Sequence, residues 1–328
     1  MKVSVVLPVF NKEPWLKACL ESIFGQGYSK FEVIVVDDGS TDGSLDLLSA
    51  WKDDRLRVEV LPANMGPSGA AQRAMDLATG EYILRMDADD VMLPDRITKQ
   101  VAFMDAHPHV GFSGGHQQVI GTSDVMRASL ADEDCRAGQF FRIPVFQPTS
   151  IYRRSVLLQH GIRFLDEWPR YGEDRLFQAR LLKVTQCANL DEALVAYRVG
   201  PQNQRAAQER SSALRRLLEA LFAEHGWPLD EASLQAHFTC LHWFPHGVDI
   251  ATLRAAKRHL SALRRRNQEL RTFPQEAFER ALVRVWNDLG YRIPAHGWAP
   301  VFAYWLQDAT PSWTKWRYML AARLSGHA

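Results

Sequence analysis

The chain of 328 residues is 46% hydrophobic and 23% charged, with a formal net charge of +1. This composition is typical of a globular protein long enough for two domains, and its charge balance gives no indication of nucleic-acid binding. The four cysteines are widely spaced without a Cys-X-X-Cys pair, which argues against a zinc site and against a disulfide framework.

The first 110 residues alternate apolar runs with segments of helical spacing. Buried strands are predicted at 3–9, 31–36, 56–61 and 81–85, and a helix at 94–106 follows the fourth strand. Strands that are apolar almost throughout and are separated by helices are typical of a parallel sheet covered on both faces. The sequence therefore predicts an α/β domain with a mostly parallel sheet.

The pattern is less regular between residues 110 and 199. Strands are predicted at 110–120 and 193–199, an extended segment at 145–152 and a helix at 174–184. These elements continue the α/β domain as a mixed sheet. Only helical patterns follow, so we expect a catalytic domain over 1–203 and an all-helical domain over 204–328.

The predicted helical domain is basic and rich in tryptophan. Residues 200–328 carry 17 Lys and Arg against 11 Asp and Glu, whereas residues 1–199 carry 22 against 27. The basic run 257–266 and Trp305, Trp313 and Trp316 leave three roles open: acceptor binding, dimerisation through the tail, or peripheral contact with an anionic membrane surface. The alternative is a helical core with a solvated basic face.

Polar residues follow four of the predicted strands. They include Asn11, the run 37–42, Asn64 and the run Asp87-Ala88-Asp89-Asp90. Ligands of an open parallel sheet bind beyond the carboxyl ends of its strands, so these segments are expected to meet. Three clustered carboxylates repel one another, and Mn²⁺ or Mg²⁺ bound together with substrate phosphates would remove that repulsion. A solvated acidic turn with a capping aspartate is the alternative.

Taken together and in order, these motifs resemble the family-2 glycosyltransferases with the A-type, nucleotide-diphospho-sugar-binding fold, over about residues 1–200. The matching segments are 5–11, 35–42, 64–66, 71–74, 78–82 and 87–90. The resemblance implies a Rossmann-like sheet with helices on both faces. It also implies metal-dependent, inverting transfer of a sugar from a nucleotide-diphospho donor, with UDP the expected nucleotide, to a hydroxyl of a saccharide or lipid-linked saccharide. Surface polysaccharide or glycan assembly is the implied setting.

The resemblance also assigns a donor site. Its implied members are Pro8, Phe10, Asn11, Glu13, Asp37, Asn64, Arg73, Asp87, Ala88 and Asp89. Asp37 would accept a hydrogen bond from the nucleobase, and Arg73 would face the carboxylates and the diphosphate. Asp89 would ligate the metal, with Asp87 beside the ribose or the metal. A surface position for Arg73 and turn chemistry for Asp38 and Asp42 are the alternatives.

A second motif, Tyr171-Gly172-Glu173-Asp174, opens the helix predicted at 174–184. The motif resembles the Glu-Asp pair that precedes the acceptor-side helix in this family, which implies that Asp174 is the general base and that Glu173 orients it or binds the acceptor. The helix dipole is expected to hold a carboxylate ionised at this place. Simple N-capping is the alternative. Many family members carry His or Arg in the loop after the strand at 193–199. This chain offers only Gln202 or Arg205 there.

Two other functions compete with the transferase. A sugar nucleotidyltransferase would need a glycine-rich basic loop after the first strand, which Pro8-Val9-Phe10-Asn11-Lys12 does not provide. A non-catalytic nucleotide-sugar-binding protein would not need Asp87, Asp89 and Asp174 together. With neither a signal peptide nor a spanning helix expected, we predict a cytoplasmic protein, or one at the inner face of the membrane if its acceptor is lipid-linked.

Overall fold

The computed structural model describes residues 1–164, 172–200, 207–244, 247–307 and 312–325. The chain packs as two compact units. An α/β unit consists of Met1–Cys135 and Ile143–Leu217, and a helical unit consists of Arg136–Arg142 and Leu218–Ala328. The domain boundary at residue 203 stays a prediction, and no sequence pattern indicated that a short segment before residue 143 belongs with the helices.

The N-terminal half of the α/β unit is a parallel sheet. Its strands are β1 (Val3–Val9), β2 (Phe31–Asp37), β3 (Leu56–Val60) and β4 (Tyr82–Arg85), in the spatial order β3-β2-β1-β4. The helices that connect and follow them are α1 (Glu13–Phe24), α2 (Ser44–Ala50), α3 (Gly66–Leu77) and α4 (Arg96–Ala106). Val9 lies level with Asp37, and Asp37 with Val60, so the polar segments after these strands emerge at one edge.

The second half of the sheet is mixed. It adds β5 (Val91–Met92), β6 (Val110–Val119), β7 (Val125–Met126), β8 (Ile151–Arg153) and β9 (Gln186–Tyr197), together with the helices α5 (Asp132–Gly138), α6 (Arg154–His160) and α7 (Glu173–Leu182). Within the described residues all nine strands belong to one sheet. Strand β8 runs antiparallel to both β4 and β6, and β9 runs parallel to β6.

Apolar side chains cover both faces of the parallel strands. Val5 and Leu7 lie in a core cluster with Leu16 of α1, while Val6 and Ala74 belong to a second cluster. Both faces of β1, β2 and β4 are therefore buried, which explains why these strands are almost entirely apolar, whereas the edge strand β3 exposes Val58 and Val60. All four cysteines are buried and none forms a disulfide.

The helical unit is built on aromatic packing. Its elements are the end of α8 (Ala207–Glu224), then α9 (Glu231–Cys240), α10 (Ile250–Leu270), α11 (Gln275–Arg292), α12 (Trp298–Gln307) and α13 (Trp313–Ser325). Phe140 stacks on Phe222 with ring centroids 4.3 Å apart. His237 donates from Nε2 to the Phe140 carbonyl (2.8 Å) and accepts at Nδ1 from Nε2 of His259 (3.0 Å). None of the described helices is long and apolar enough to cross a bilayer.

Candidate active site

A cavity of about 640 Å³ opens at the carboxyl-terminal edge of the parallel strands in the α/β unit. The loops after β1, β2, β3 and β4 and the first turn of α7 line this cavity. Nine of the residues predicted from sequence line it: Pro8, Phe10, Asn11, Asn64, Asp87, Ala88, Asp89, Glu173 and Asp174. Three predicted residues, Glu13, Asp37 and Arg73, are not among the lining residues. The strand-end motifs and the separate Glu-Asp motif thus share one cavity.

Asn11 ties together the loops that follow β1 and β2. Its backbone is left-handed (φ 52°), a conformation that asparagine tolerates better than most residues. Its backbone N–H donates to the Ser40 hydroxyl (3.0 Å), and its Oδ1 accepts from the Thr41 backbone N–H (2.8 Å). The preceding Phe10 is 40% exposed at the cavity wall, where its ring face is available for stacking.

Asp37 does not have the place expected for a nucleobase acceptor. It is fully buried, and its Oδ1 accepts from the backbone N–H groups of Gly39 (3.1 Å) and Ser40 (2.9 Å). Asp38 is the aspartate that lines the cavity, and its Oδ1 accepts from the Met65 backbone N–H at 2.6 Å. Neighbouring strand residues point to opposite faces, so one of the pair has to form the turn while the other faces the ligand edge.

Glu13 also has a different place from the one expected. Its Oε2 accepts from the Gly43 backbone N–H at 2.9 Å, and its own N–H donates to Asp42 Oδ2 at 3.0 Å. These two hydrogen bonds fasten the start of α1 to the loop before α2. Glu13 therefore supports the cavity wall from outside.

Arg73 lies on the outer face of α3 and pairs with Glu59, Nε to Oε1, at 2.5 Å. The arginine that lines the cavity is instead Arg85, the last residue of β4, whose side chain is 7% exposed. Arg85 Nη2 lies 2.9 Å from Asp87 Oδ1. Because β4 is central, its end is enclosed by neighbouring strands, whereas α3 turns Arg73 toward solvent.

The acidic run after β4 is partly neutralised by the chain itself. Lys12 Nζ lies 2.5 Å from Asp89 Oδ2, and Lys12 also lines the cavity. Asp90 is buried and accepts from the Arg198 backbone N–H at 2.8 Å through Oδ1. Burial, followed by repulsion from Asp87, raises the pKa of Asp90 to about 8. Asp90 is therefore largely protonated at neutral pH, and Arg85 and Lys12 balance the two remaining carboxylates, Asp87 and Asp89.

The residues of this run fit a divalent metal only in part. Across the described part of the chain, no three His, Cys, Asp or Glu side chains are grouped as a metal site. Asp87 and Asp89 do line one cavity, and Asp90 Oδ2 is buried without a hydrogen-bond partner. Mg²⁺ and Mn²⁺ commonly take one or two carboxylates and complete their coordination with substrate phosphates and water. Two carboxylates beside an open cavity meet that requirement.

Two further arginines hold the acidic run in place. Arg96, at the start of α4, is fully buried and donates from Nη2 to the Arg85 carbonyl at 3.0 Å. Burial lowers its pKa to about 9. Arg198 donates from Nε to the Asp89 carbonyl at 2.9 Å. Gln202 and Arg205, the residues considered for this edge from sequence, lie outside the described residues.

Glu173 and Asp174 begin α7 directly after Gly172, which adopts a left-handed conformation (φ 75°). Asp174 Oδ1 accepts from the Arg175 backbone N–H at 2.7 Å. Burial raises the pKa of Asp174, and the charge of Asp87 raises it further. The helix terminus was expected to keep this carboxyl ionised, but desolvation outweighs that effect. Tyr171 of the same motif lies outside the described residues.

Sequence reasoning missed three cations of this site: Lys12, Arg85 and Arg198. Lys12 and Arg198 both lie over the ring of Trp15, with Nζ 5.5 Å and Cζ 5.8 Å from its centroid. Lys12 stands one position after Asn11, and Arg85 stands two before Asp87. These positions next to strand-end motifs are the feature of the sequence that could have indicated Lys12 and Arg85 as site residues.

Comparison with known proteins identifies the protein family that this chain is similar to. The family model described as "Glycosyl transferase family 2" matches residues 4–161. A Bacillus subtilis glycosyltransferase, EpsE, is 32% identical over 187 residues, which are 53% of this chain and 67% of EpsE. An uncharacterized glycosyltransferase of Haemophilus influenzae is 30% identical over 211 residues, covering 60% of this chain and 65% of that protein.

A third relative is much longer than the matched region. The poly(ribitol-phosphate) beta-N-acetylglucosaminyltransferase TarS of Staphylococcus aureus is 31% identical over 191 residues, 54% of this chain but 32% of TarS. The chain spans between about a third and two thirds of the length of four curated relatives that it matches.

Solved structures match the fold across the whole chain. TarS residues 1–349 with UDP-GlcNAc gives a TM-score of 0.60 at 20% identity, covering 99% of this chain and 92% of that one. The mannosyltransferase PcManGT of Pyrobaculum calidifontis, with GDP-Man and Mn²⁺, gives 0.57 at 18% identity, covering 100% and 88%. The predicted A-type fold is confirmed. The EpsE match, together with the family model, shows that the chain belongs to glycosyltransferase family 2.

Proposed function

We propose that this protein transfers a sugar from a nucleotide-diphospho-sugar, with UDP as the nucleotide, to a saccharide hydroxyl with inversion at the anomeric carbon. The observation that carries the proposal is the single cavity shared by Asp87, Asp89 and Asp174. A donor held at the first two carboxylates would lie beside the third. The name of TarS supports a UDP-linked N-acetylhexosamine as donor. Surface polysaccharide assembly on the cytoplasmic side, with a saccharide or lipid-linked saccharide acceptor, is the setting that we propose.

Several of the residues that line the cavity have distinct roles in this reaction. Phe10 and Asp38 would hold the base, and Arg85 and Lys12 would face the diphosphate from the cavity wall. Asp89 and Asp87 would hold Mn²⁺ or Mg²⁺, which when bound offsets charge on the leaving diphosphate. Asp174 takes the proton from the acceptor hydroxyl while that oxygen bonds to the anomeric carbon. The bond from that carbon to the phosphate oxygen breaks, and its electron pair leaves with the nucleoside diphosphate.

A donor screen with Asp174→Asn as the matched variant tests this proposal. We expect Mn²⁺-dependent release of nucleoside diphosphate by the parent in the presence of a saccharide acceptor. The variant should bind UDP and Mn²⁺ like the parent in calorimetry, yet transfer at least a hundredfold more slowly. Parent-like transfer by the variant would overturn the base assignment. Failure of the parent to bind any nucleoside diphosphate would overturn the whole proposal.

Two other functions remain as outcomes of that screen. A sugar nucleotidyltransferase would release pyrophosphate from a nucleoside triphosphate and a sugar phosphate. A non-catalytic nucleotide-sugar-binding protein would bind donor without turnover. Asp174 is partly buried and lines the same cavity as Asp87 and Asp89, which favours the transferase over these two alternatives.

A further inference from the structure

Helix α12 of the helical unit has no polar face. The residues that it buries are Pro300, Val301, Ala303 and Tyr304. On its outer side Phe302 is 50% exposed, Trp305 45% and Leu306 77%. A surface helix normally turns polar side chains toward water, so an apolar outer face indicates a partner other than water.

The exposed side chains of α12 continue onto α13 as one surface. We call this surface the apolar ridge; it consists of Trp298, Phe302, Trp305, Leu306, Trp313 and Trp316. The ring of Trp316 lies 6.2 Å from that of Phe302 and 5.4 Å from that of Trp305, centroid to centroid. Trp313, one turn earlier on α13, is 72% exposed. Five of the six residues are aromatic, and tryptophan favours the boundary between water and lipid.

The charge around the ridge is entirely basic in the described residues of α12 and α13. They contain Lys315, Arg317 and Arg323 and no Asp or Glu. Lys315 is buried and donates to Asn287 Oδ1 at 2.8 Å, whereas Arg317 is exposed beside Trp316. Exposed aromatic side chains with an exposed arginine beside them, on helices without acidic residues, are complementary to an anionic lipid surface.

Helix α12 is too short to cross a bilayer but long enough to lie on its surface. Its ten residues extend about 15 Å, half the thickness of a bilayer's hydrocarbon core. We propose that the apolar ridge binds the surface of an anionic bilayer, lying in the interface with its aromatic rings at the acyl boundary and Arg317 at the lipid phosphates. This inference does not depend on the transfer reaction, because it rests only on the helical unit.

Vesicle sedimentation with the full chain tests the proposal, without donor or metal. The probes are vesicles of phosphatidylcholine alone and of phosphatidylcholine with phosphatidylglycerol. Trp313→Ser and Leu306→Ser alter highly exposed side chains, so the fold should survive, which circular dichroism would verify. Each should weaken binding to the anionic vesicles about tenfold, since burying a large apolar side chain contributes about that factor. Arg317→Gln should weaken binding to the anionic vesicles alone.

Leu270→Ser is the matched control, because Leu270 is 49% exposed at the end of α10, outside the ridge. It should bind vesicles like the parent. Equal binding by parent and ridge variants, or no binding to anionic vesicles, would overturn the proposal. A dimer in lipid-free solution that Trp313→Ser dissociates would also overturn it, since the ridge would then bind a second copy.

Discussion

At the scale of single residues, two cations face Asp87 and Asp89, the carboxylates that would bind the metal. Arg85 pairs with Asp87, and Lys12 pairs with Asp89. Arg85 is buried and held at the end of a strand, whereas the Lys12 side chain is 23% exposed in the loop after β1. A metal ion at Asp89 would therefore have to compete with the Lys12 ammonium, and a bound diphosphate would offer that ammonium another anion.

Lys12→Met should strengthen the binding of Mn²⁺ alone and weaken the binding of UDP. Unit charges about 4 Å apart interact by about 4 kcal/mol at an effective dielectric constant near 20. Because Lys12 is partly exposed, solvent screening reduces this interaction, and we expect a gain in Mn²⁺ affinity on the order of tenfold. Electron paramagnetic resonance of Mn²⁺ and calorimetry with UDP measure the two effects. Lys17→Met, on an exposed part of α1, is the control, and an unchanged Mn²⁺ affinity in Lys12→Met would contradict this account.

The raised pKa of Asp174 predicts an acid limb in the rate of transfer. Burial raises this pKa above its ordinary value of 3.8, so the carboxyl becomes protonated at a higher pH than an exposed aspartate would. A general base acts only when ionised, so kcat should fall as the pH drops through the raised pKa. Measuring kcat at saturating donor, acceptor and metal separates this effect from binding. A rate that stays constant down to pH 4 would show that Asp174 is not the base.

At the scale of elements, the start of α7 controls where Glu173 and Asp174 lie. Gly172 is left-handed, and a Cβ atom there would collide with the side chain of Leu217 on α8. Glycine is therefore favoured here both by the backbone angle and by the limited space beside Leu217. The sequence motif showed the two acids but not this steric reason.

Gly172→Ala should lower both stability and transfer. The left-handed conformation costs a residue with a Cβ about 1–2 kcal/mol, and the collision adds to that cost or displaces α7. Gly161→Ala is the matched control, because Gly161 is also left-handed (φ 59°) but has open space around its Cβ position. We expect similar backbone strain in both variants, measured by denaturant unfolding, but a loss of kcat only in Gly172→Ala. Equal kcat in the two variants would refute the positioning role.

The success of sequence reasoning also differed from element to element. Apolar runs predicted β1 at its observed bounds, because both of its faces are buried, and predicted the neighbouring strands within a residue or two. The bounds of helix α12 could not be predicted in this way, since an apolar segment of ten residues lacks the polar positions that mark helical periodicity. The Lys12–Asp89 pair joins residues 77 positions apart, and no local pattern predicts such a contact.

At the scale of the whole molecule, the chain enters its helical unit twice. Residues Arg136–Arg142 belong to that unit although they precede the last strands of the sheet. Phe140 is fully buried there, against Phe222 at 4.3 Å, Trp227 at 5.3 Å and Phe273 at 5.2 Å between ring centroids. Three segments distant in sequence meet on this ring, so periodicity placed a boundary near residue 203 without indicating the earlier segment.

A fragment of residues 1–203 should therefore be poorly soluble, because it keeps Phe140 but lacks every aromatic residue that covers it. Phe140→Ser should act with opposite sign in the two contexts. In the full chain it removes a buried ring and should cost about 3–5 kcal/mol of stability, measured by denaturant unfolding. In the fragment it removes an exposed apolar ring and should increase the monomeric fraction in size-exclusion chromatography. If the unaltered fragment were monomeric and as stable as the parent, residue 140 would not need the helical unit, and the boundary at residue 203 would be supported.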